Sequence, residues 1–149
     1  MRITTQVGVL TELSPGTNYV LVGFPGATNP CGSAATSQHY RNHFGTSALI
    51  QAIQNIATGY QLLFPGVSLR INDMSLVKGG LFDIKNTWKK PHDEHREGRS
   101  GDFGVIGVTQ SSTCPTLNKF TIRRLVRQYT GHKAIENEGT GPHFHIRVN

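Results

Sequence analysis

Polar and apolar residues alternate along the stretch Pro142-His143-Phe144-His145-Ile146-Arg147-Val148. Successive side chains of a β-strand point to opposite faces, so this alternation predicts a strand with two chemically different faces. One face is predicted to enter a hydrophobic core with its phenylalanine, isoleucine and valine. The other face presents both histidines and the arginine, and there we expect the chemistry of the protein.

A second polar stretch supplies further candidate metal ligands: Pro91-His92-Asp93-Glu94-His95-Arg96-Glu97-Gly98-Arg99-Ser100-Gly101-Asp102. Its histidines are three apart, unlike those of the helical HExxH motif, and its proline and glycines disfavour a helix. We interpret it as a loop that leads into a strand beginning at Asp102. A catalytic zinc ion needs three nitrogen or oxygen ligands and one open position. His95, Asp102 and His145 can supply these three.

The spacing of the histidines in the alternating stretch predicts a second role there. His143 lies two residues before His145, about 6.5 Å along a strand. If His145 binds zinc, the His143 ring can reach the reacting oxygen and assist as an acid, a base or an electrostatic group. An HxH pattern alone more often binds no metal, so the prediction depends on both polar stretches together.

Two helices are predicted from apolar residues that recur at steps of three and four. The first has Thr46 or Ser47 to cap its start and Pro65-Gly66 to end it. Its apolar positions are Leu49, Ile53, Ile56, Tyr60 and Leu63. The second is predicted from Asn118 to Thr130, with Gly131 as its C-terminal stop. Its apolar positions are Phe120, Leu125, Val126 and Tyr129.

Further strands are predicted where β-branched and apolar residues lie between turn-forming residues. Their spans are 2–10, 19–24, 67–74, 102–108, and 132–136, the last in a hairpin with 143–148. The first two of these are predicted to be neighbours joined by a turn. The segment 25–45 is rich in Gly, Asn, Ser and Thr, and it is predicted to be irregular.

Composition and charge limit the class of protein. A chain of 149 residues suits one domain, and no apolar run approaches membrane-spanning length. The net charge of +6 favours anionic partners, either bacterial cell-wall polymers or nucleic acid. Little aromatic interleaving and no nucleic-acid motif accompany the basic residues, so nucleic acid is not expected. The first residues lack the pattern of a secretory signal, and we expect a signal or upstream region to be missing from this sequence.

The only cysteines, Cys31 and Cys114, do not form a CxxC zinc motif. One disulfide in an oxidising compartment and two free thiols are both compatible with the sequence. Metal ligands must therefore come from histidine and carboxylate side chains.

Four motifs follow one another along the chain. They are Arg70-Ile71-Asn72-Asp73-Met74-Ser75-Leu76, Gly79-Gly80, His92-xx-His95-xx-Gly98-xxx-Asp102 and His143-Phe144-His145-Ile146-Arg147. In this order they resemble the penicillin-insensitive murein endopeptidases, which group with lysostaphin-type peptidases, D-Ala-D-Ala metallopeptidases and hedgehog domains. The resemblance covers about Gln38 to Arg147. It implies a small α+β domain in which two main helices flank a central antiparallel sheet, with the zinc site on one sheet face.

The resemblance also implies roles for individual residues. One Zn²⁺ ion would be bound by His95, Asp102 and His145, with His143 and His92 as catalytic residues. Residues 1–149 would form a single zinc peptidase domain, in which residues 1–37 are a family-divergent N-terminal part. The candidate substrate-binding residues are Arg70, Asp73, Trp88 and Arg147.

The chain departs from the dipeptidase branch of this group at Pro142, where that branch carries a glutamate three residues before its last zinc histidine. The general base of that branch cannot be carried over. Glu136 and Glu138 lie in the preceding hairpin and are the candidate replacements.

These observations together predict a zinc-dependent metallopeptidase that hydrolyses peptide bonds of bacterial peptidoglycan, either the D-alanyl cross-link or the stem peptide. The resemblance implies a periplasmic or extracellular location at the cell wall. Two alternatives keep the same fold: a non-catalytic, zinc-stabilised module that binds cell wall or protein, and a D-Ala-D-Ala carboxypeptidase. The scissile bond and the oligomeric state are left open.

Overall fold

The computed structural model describes residues 10–22, 43–74, 98–137 and 142–149. In these residues the chain forms two helices and seven strands, which confirms the α+β class. The helices are α1 (Ser47–Leu63) and α2 (Lys119–Thr130). The strands are β1 (Thr11–Glu12), β2 (Tyr19–Leu21), β3 (Phe44–Gly45), β4 (Leu69–Ile71), β5 (Ser100–Gly104), β6 (Ile135–Asn137) and β7 (His143–Arg147).

Five of the strands form one mixed sheet in the order β2-β4-β5-β7-β6. Strands β2 and β4 are parallel, whereas each of the other neighbouring pairs is antiparallel. The expectation of a purely antiparallel sheet is therefore wrong at this edge. The connection from β2 to β4 includes α1, and a helical crossover returns the chain in the same direction. Strand β1 pairs with β3. The strand predicted over residues 2–10 lies outside the described residues apart from Leu10, so its pairing stays a prediction.

Helix α1 begins and ends where its sequence predicts. The Thr46 hydroxyl accepts a hydrogen bond from the Leu49 backbone N–H at 3.3 Å and so caps the first turn. The helix ends at Leu63, just before Pro65-Gly66, and Gly66 has a φ of +86°. Of its predicted apolar positions, Leu49, Ile53, Ile56 and Tyr60 are buried, but Leu63 is exposed.

The bounds predicted for helix α2 are confirmed to within one residue. The Asn118 side chain accepts from the Thr121 N–H at 2.9 Å, and Gly131 ends the helix with a φ of +76°. The predicted apolar face is partly wrong, because Phe120 is 76% exposed while Ile122 is fully buried. Ile122, Leu125 and Val126 share one helical stripe, from which Phe120 is rotated by more than about 100°.

The core lies between the two helices and one face of the mixed sheet. Phe103 of β5 and Phe144 of β7 pack there with ring centroids 5.5 Å apart. The helices approach closely at Gly59, where a Cβ atom would lie 2.9 Å from Leu125 Cδ2. Neither described helix is long and apolar enough to cross a membrane. Two of the predicted metal ligands, Asp102 and His145, lie on the opposite face of the sheet.

Candidate metal centre

The register of three strands brings three predicted site residues, Asp102, His143 and His145, onto one sheet face together with Asn137. Asp102 of β5 stands directly opposite His145 of β7. On its other side, β7 pairs with β6, so that Asn137 stands opposite His143. Phe144 and Ile146 point into the core, which confirms the alternation predicted for β7. The chemistry of this face therefore comes from neighbouring strands of the sheet.

Asp102 and His145 form a buried polar pair. Asp102 is 3% exposed and His145 is 6% exposed, and His145 Nδ1 lies 2.9 Å from Asp102 Oδ1. In this contact the ring N–H donates to the carboxylate. A buried carboxylate is costly unless it is paired, so the pair is required for both groups to be buried.

The same two atoms fit a zinc ion. Two ligands of a tetrahedral zinc lie about 3.3 Å apart, since zinc bonds to histidine nitrogen and carboxylate oxygen are about 2.0 to 2.2 Å long. The 2.9 Å separation between His145 Nδ1 and Asp102 Oδ1 differs from this by a few tenths of an ångström. Exchange of the shared proton for a metal ion therefore needs only a small movement of two side chains.

His143 lies next to this pair. Its Nε2 atom lies 3.8 Å from Asp102 Oδ2, whereas the 2.9 Å contact of His145 is to Oδ1. The His143 side chain is 17% exposed, more than those of Asp102 and His145. It is therefore the most accessible of the three.

Asn137 is a site residue that sequence reasoning missed. Its Nδ2 atom lies 3.1 Å from His143 Nε2, and the amide donates to that nitrogen when the ring proton is on Nδ1. The available signal was the hairpin pairing, which places Asn137 opposite His143 on the same face. The contact of Asn137 with His143 could not be predicted from this signal, because the register of the two strands was not known from the sequence.

The Asp102 backbone is held by an irregular pairing with β4 and the residues that follow it. Asn72 N–H donates to Asp102 O at 2.9 Å, and Asp102 N–H donates to Asp73 O at 2.8 Å. Asn72 and Asp73 therefore both lie opposite Asp102, as in a β-bulge. Such an irregularity often redirects a side chain at a functional site. Asp73 is a predicted substrate-binding residue, and this pairing brings it next to the metal-ligand strand.

Glu136 lies on the other face of the sheet. It stands opposite the core residue Phe144, and its carboxylate contacts Lys119 Nζ at 2.6 Å and Arg123 Nη2 at 2.8 Å. Its role is therefore to join β6 to helix α2. The structure does not bring this candidate base together with Asp102 and the two histidines.

Two predicted substrate-binding arginines lie on the same sheet face as Asp102, His143 and His145. Arg147 is exposed and stands opposite Ser100. Arg70 is buried on β4, with 8% of its surface exposed, and burial lowers the pKa of its guanidinium below the usual value. The remaining predicted site residues lie outside the described residues: Trp88, His92, His95 and Glu138.

The described part of the chain thus contributes two of the three predicted zinc ligands. Within it, no group of three or more His, Cys, Asp or Glu side chains is placed to hold a metal ion. Cys114 is disulfide-bonded, so the alternative of two free thiols does not hold in this structure. The other cysteine of the sequence, Cys31, is outside the described ranges.

No protein-family model matches this chain, and no curated protein matches it significantly. The resemblance to murein endopeptidases therefore depends on the motifs quoted above.

Proposed function

We propose that this protein is a zinc-dependent peptidase that hydrolyses peptide bonds of bacterial peptidoglycan. The observation that carries the proposal is the buried Asp102–His145 pair on adjacent strands, with His143 3.8 Å from the second Asp102 oxygen. Asp102 and His145 would hold the ion from adjacent strands, and His95 is the predicted third ligand. Bound zinc would supply Lewis-acid activation of the scissile carbonyl and of a water molecule.

His143 is the described residue best placed to move the proton in this reaction. With its proton on Nδ1, its Nε2 atom is an acceptor, which Asn137 engages in the absence of substrate. A water molecule that donates to Nε2 in place of this amide can lose its proton to the ring as it attacks the carbonyl carbon. The protonated ring then returns that proton to the leaving amine when the carbon–nitrogen bond breaks.

The resemblance of the four sequence motifs supports peptidoglycan as the substrate. The net charge of +6 supports an anionic polymer as the partner. Disulfides persist in oxidising compartments, so the disulfide at Cys114 supports a periplasmic or extracellular location.

A zinc-stabilised binding module without catalytic activity is the second candidate. It is favoured by one observation: Glu136, a candidate base, is held by Lys119 and Arg123 on the opposite sheet face. In such a module the Asp102–His145 pair would bind zinc for stability alone.

Substitution of His143 by alanine distinguishes the two candidates. In the peptidase, His143→Ala keeps about one zinc per chain, measured by inductively coupled plasma mass spectrometry, while the release of muropeptides falls by about 10²- to 10⁴-fold. His132→Ala is a matched control, because His132 contacts Asn149 and lies outside the cluster of Asp102, His143 and His145.

The muropeptides are separated by mass spectrometry after digestion of peptidoglycan of several cross-link types. The masses identify the bond, and release of terminal D-alanine alone would identify a carboxypeptidase. If the zinc-loaded wild-type protein releases no new product from any of these substrates, the peptidase proposal is wrong and the binding module takes its place.

A further inference from the structure

Arg70 is a buried cation whose charge has no partner in the described part of the chain. It is 8% exposed, and its Nε atom is fully buried with no hydrogen-bond partner among the described residues. None of the ion pairs formed by the described carboxylates includes it. A buried charge without a partner destabilises a fold, and nothing among the described residues offsets that cost at Arg70.

The position of the Arg70 guanidinium follows from strand register. Ile71 pairs with Phe103, which places the preceding residue, Arg70, opposite Gly104, and Gly104 in turn pairs with His143. Arg70 Nη1 lies 3.7 Å from the position that a Cβ atom of Gly104 would occupy. Because Gly104 has no side chain, the guanidinium lies over β5, between its own strand and the strand of His143.

We propose that Arg70 binds a free carboxylate of the ligand, on the residue that contributes the amine to the scissile peptide bond. A guanidinium matches a carboxylate with two parallel hydrogen bonds, and this pairing is strongest where water is scarce. The lowered pKa of Arg70 indicates such an environment. The proposal rests on the proposed peptidase function and specifies its substrate class.

The geometry of an extended peptide agrees with this assignment. Adjacent strands are about 4.8 Å apart, so the guanidinium over β5 lies about one strand spacing from His143. Consecutive Cα atoms of a peptide are about 3.8 Å apart. A scissile carbonyl beside Asp102 and His143 therefore places the α-carboxylate of the next residue near Arg70. Peptides in which this carboxylate is free would be substrates, whereas the corresponding amides would be poor ones.

The test compares zinc-loaded full chains of wild type, Arg70→Met, Arg70→Lys and the control Arg127→Met, which removes an exposed arginine from helix α2. The probes are N-acetyl-D-alanyl-D-alanine and its C-terminal carboxamide, titrated by calorimetry. We expect wild type and the control to bind the acid about 10- to 100-fold more tightly than the amide, as a charge-assisted hydrogen bond implies. Arg70→Met should bind both equally, and Arg70→Lys should keep part of the difference.

Thermal unfolding of the metal-free proteins separates ligand binding from a structural role. Methionine keeps the apolar stem and removes the unpaired charge, so the melting temperature of Arg70→Met should equal or exceed that of wild type. A wild-type protein that binds acid and amide equally, or binds neither, would overturn the proposal. It would also be overturned if Arg70→Met kept the preference for the acid, or lost several degrees of melting temperature.

The two proposals fail separately. Preference for the acid without hydrolysis of any substrate would remove the peptidase function and keep the role of Arg70. Hydrolysis that is insensitive to Arg70→Met and to amidation of the substrate would remove the role of Arg70 and keep the peptidase function.

Discussion

Substitution of Asp102 by asparagine separates the two roles that the buried Asp102–His145 pair can have. The amide oxygen of asparagine can still accept the hydrogen bond that His145 Nδ1 now donates to Asp102 Oδ1 at 2.9 Å. The change from a charged to a neutral acceptor costs about 1 kcal/mol, which corresponds to about 2 to 4 °C in melting temperature for a chain of this size. The metal-free variant should therefore remain folded.

The effect on zinc binding should be much larger, because zinc needs an anionic oxygen ligand that an amide does not replace. Zinc at 100 times the wild-type dissociation constant stabilises the folded protein by about 2.7 kcal/mol. If asparagine weakens binding about 100-fold, the same zinc concentration stabilises the variant by only about 0.4 kcal/mol. The zinc-induced rise in melting temperature should fall from about 5 to 11 °C to about 1 or 2 °C.

The assay is differential scanning fluorimetry of wild type and Asp102→Asn with and without zinc. Glu136→Gln is the matched control, because it makes the same carboxylate-to-amide change on the opposite face of the sheet. An equal zinc-induced shift in wild type and Asp102→Asn would refute Asp102 as a ligand and leave the pair a structural hydrogen bond.

Two further predictions follow from the same sheet. Glu136→Gln should lower the free energy of unfolding by about 0.5 to 1 kcal/mol, since its partners Lys119 and Arg123 are 41% and 50% exposed, and should leave zinc content and activity unchanged. Chemical denaturation, metal analysis and muropeptide release measure these three quantities, and a loss of activity would reinstate Glu136 as the base. Gly104→Ala should keep the preference for a ligand carboxylate, because its Cβ atom makes only ordinary contact with Arg70 Nη1 at 3.7 Å. Gly104→Val should weaken that preference, and calorimetry that finds both variants equal to wild type would contradict the position assigned to the guanidinium.

Local patterns in the sequence were sufficient to predict the bounds of both helices and the two faces of β7. Thr46 and Asn118 cap the helices through contacts with residues three positions ahead, so a short window of sequence contains the whole interaction. The alternation around Phe144 holds because the side-chain period of a strand is two. The prediction that Phe120 is buried is wrong, because its angular position on α2 places it away from the buried stripe despite its hydrophobic side chain.

Interactions between distant segments needed the tertiary structure. The parallel pairing of β2 with β4 depends on the path of the chain through α1, which periodicity does not encode. Glu136 was a candidate base because of its position in the hairpin, but the strand register turned it toward Lys119 and Arg123. A shift of register by one residue would have placed it on the other face.

The sequence by itself determined which face of β7 carries His143 and His145, the residues proposed for the zinc site, because this depends on a period of two along one strand. Only the tertiary structure decided that Asp102 stands opposite His145, that Asn137 contacts His143, and that Arg70 lies buried over Gly104. The first and last of these relations join strands that are distant in sequence, and the second depends on the register of the β6–β7 hairpin. Their geometry follows from the packing of the sheet against both helices, to which residues along the whole described chain contribute.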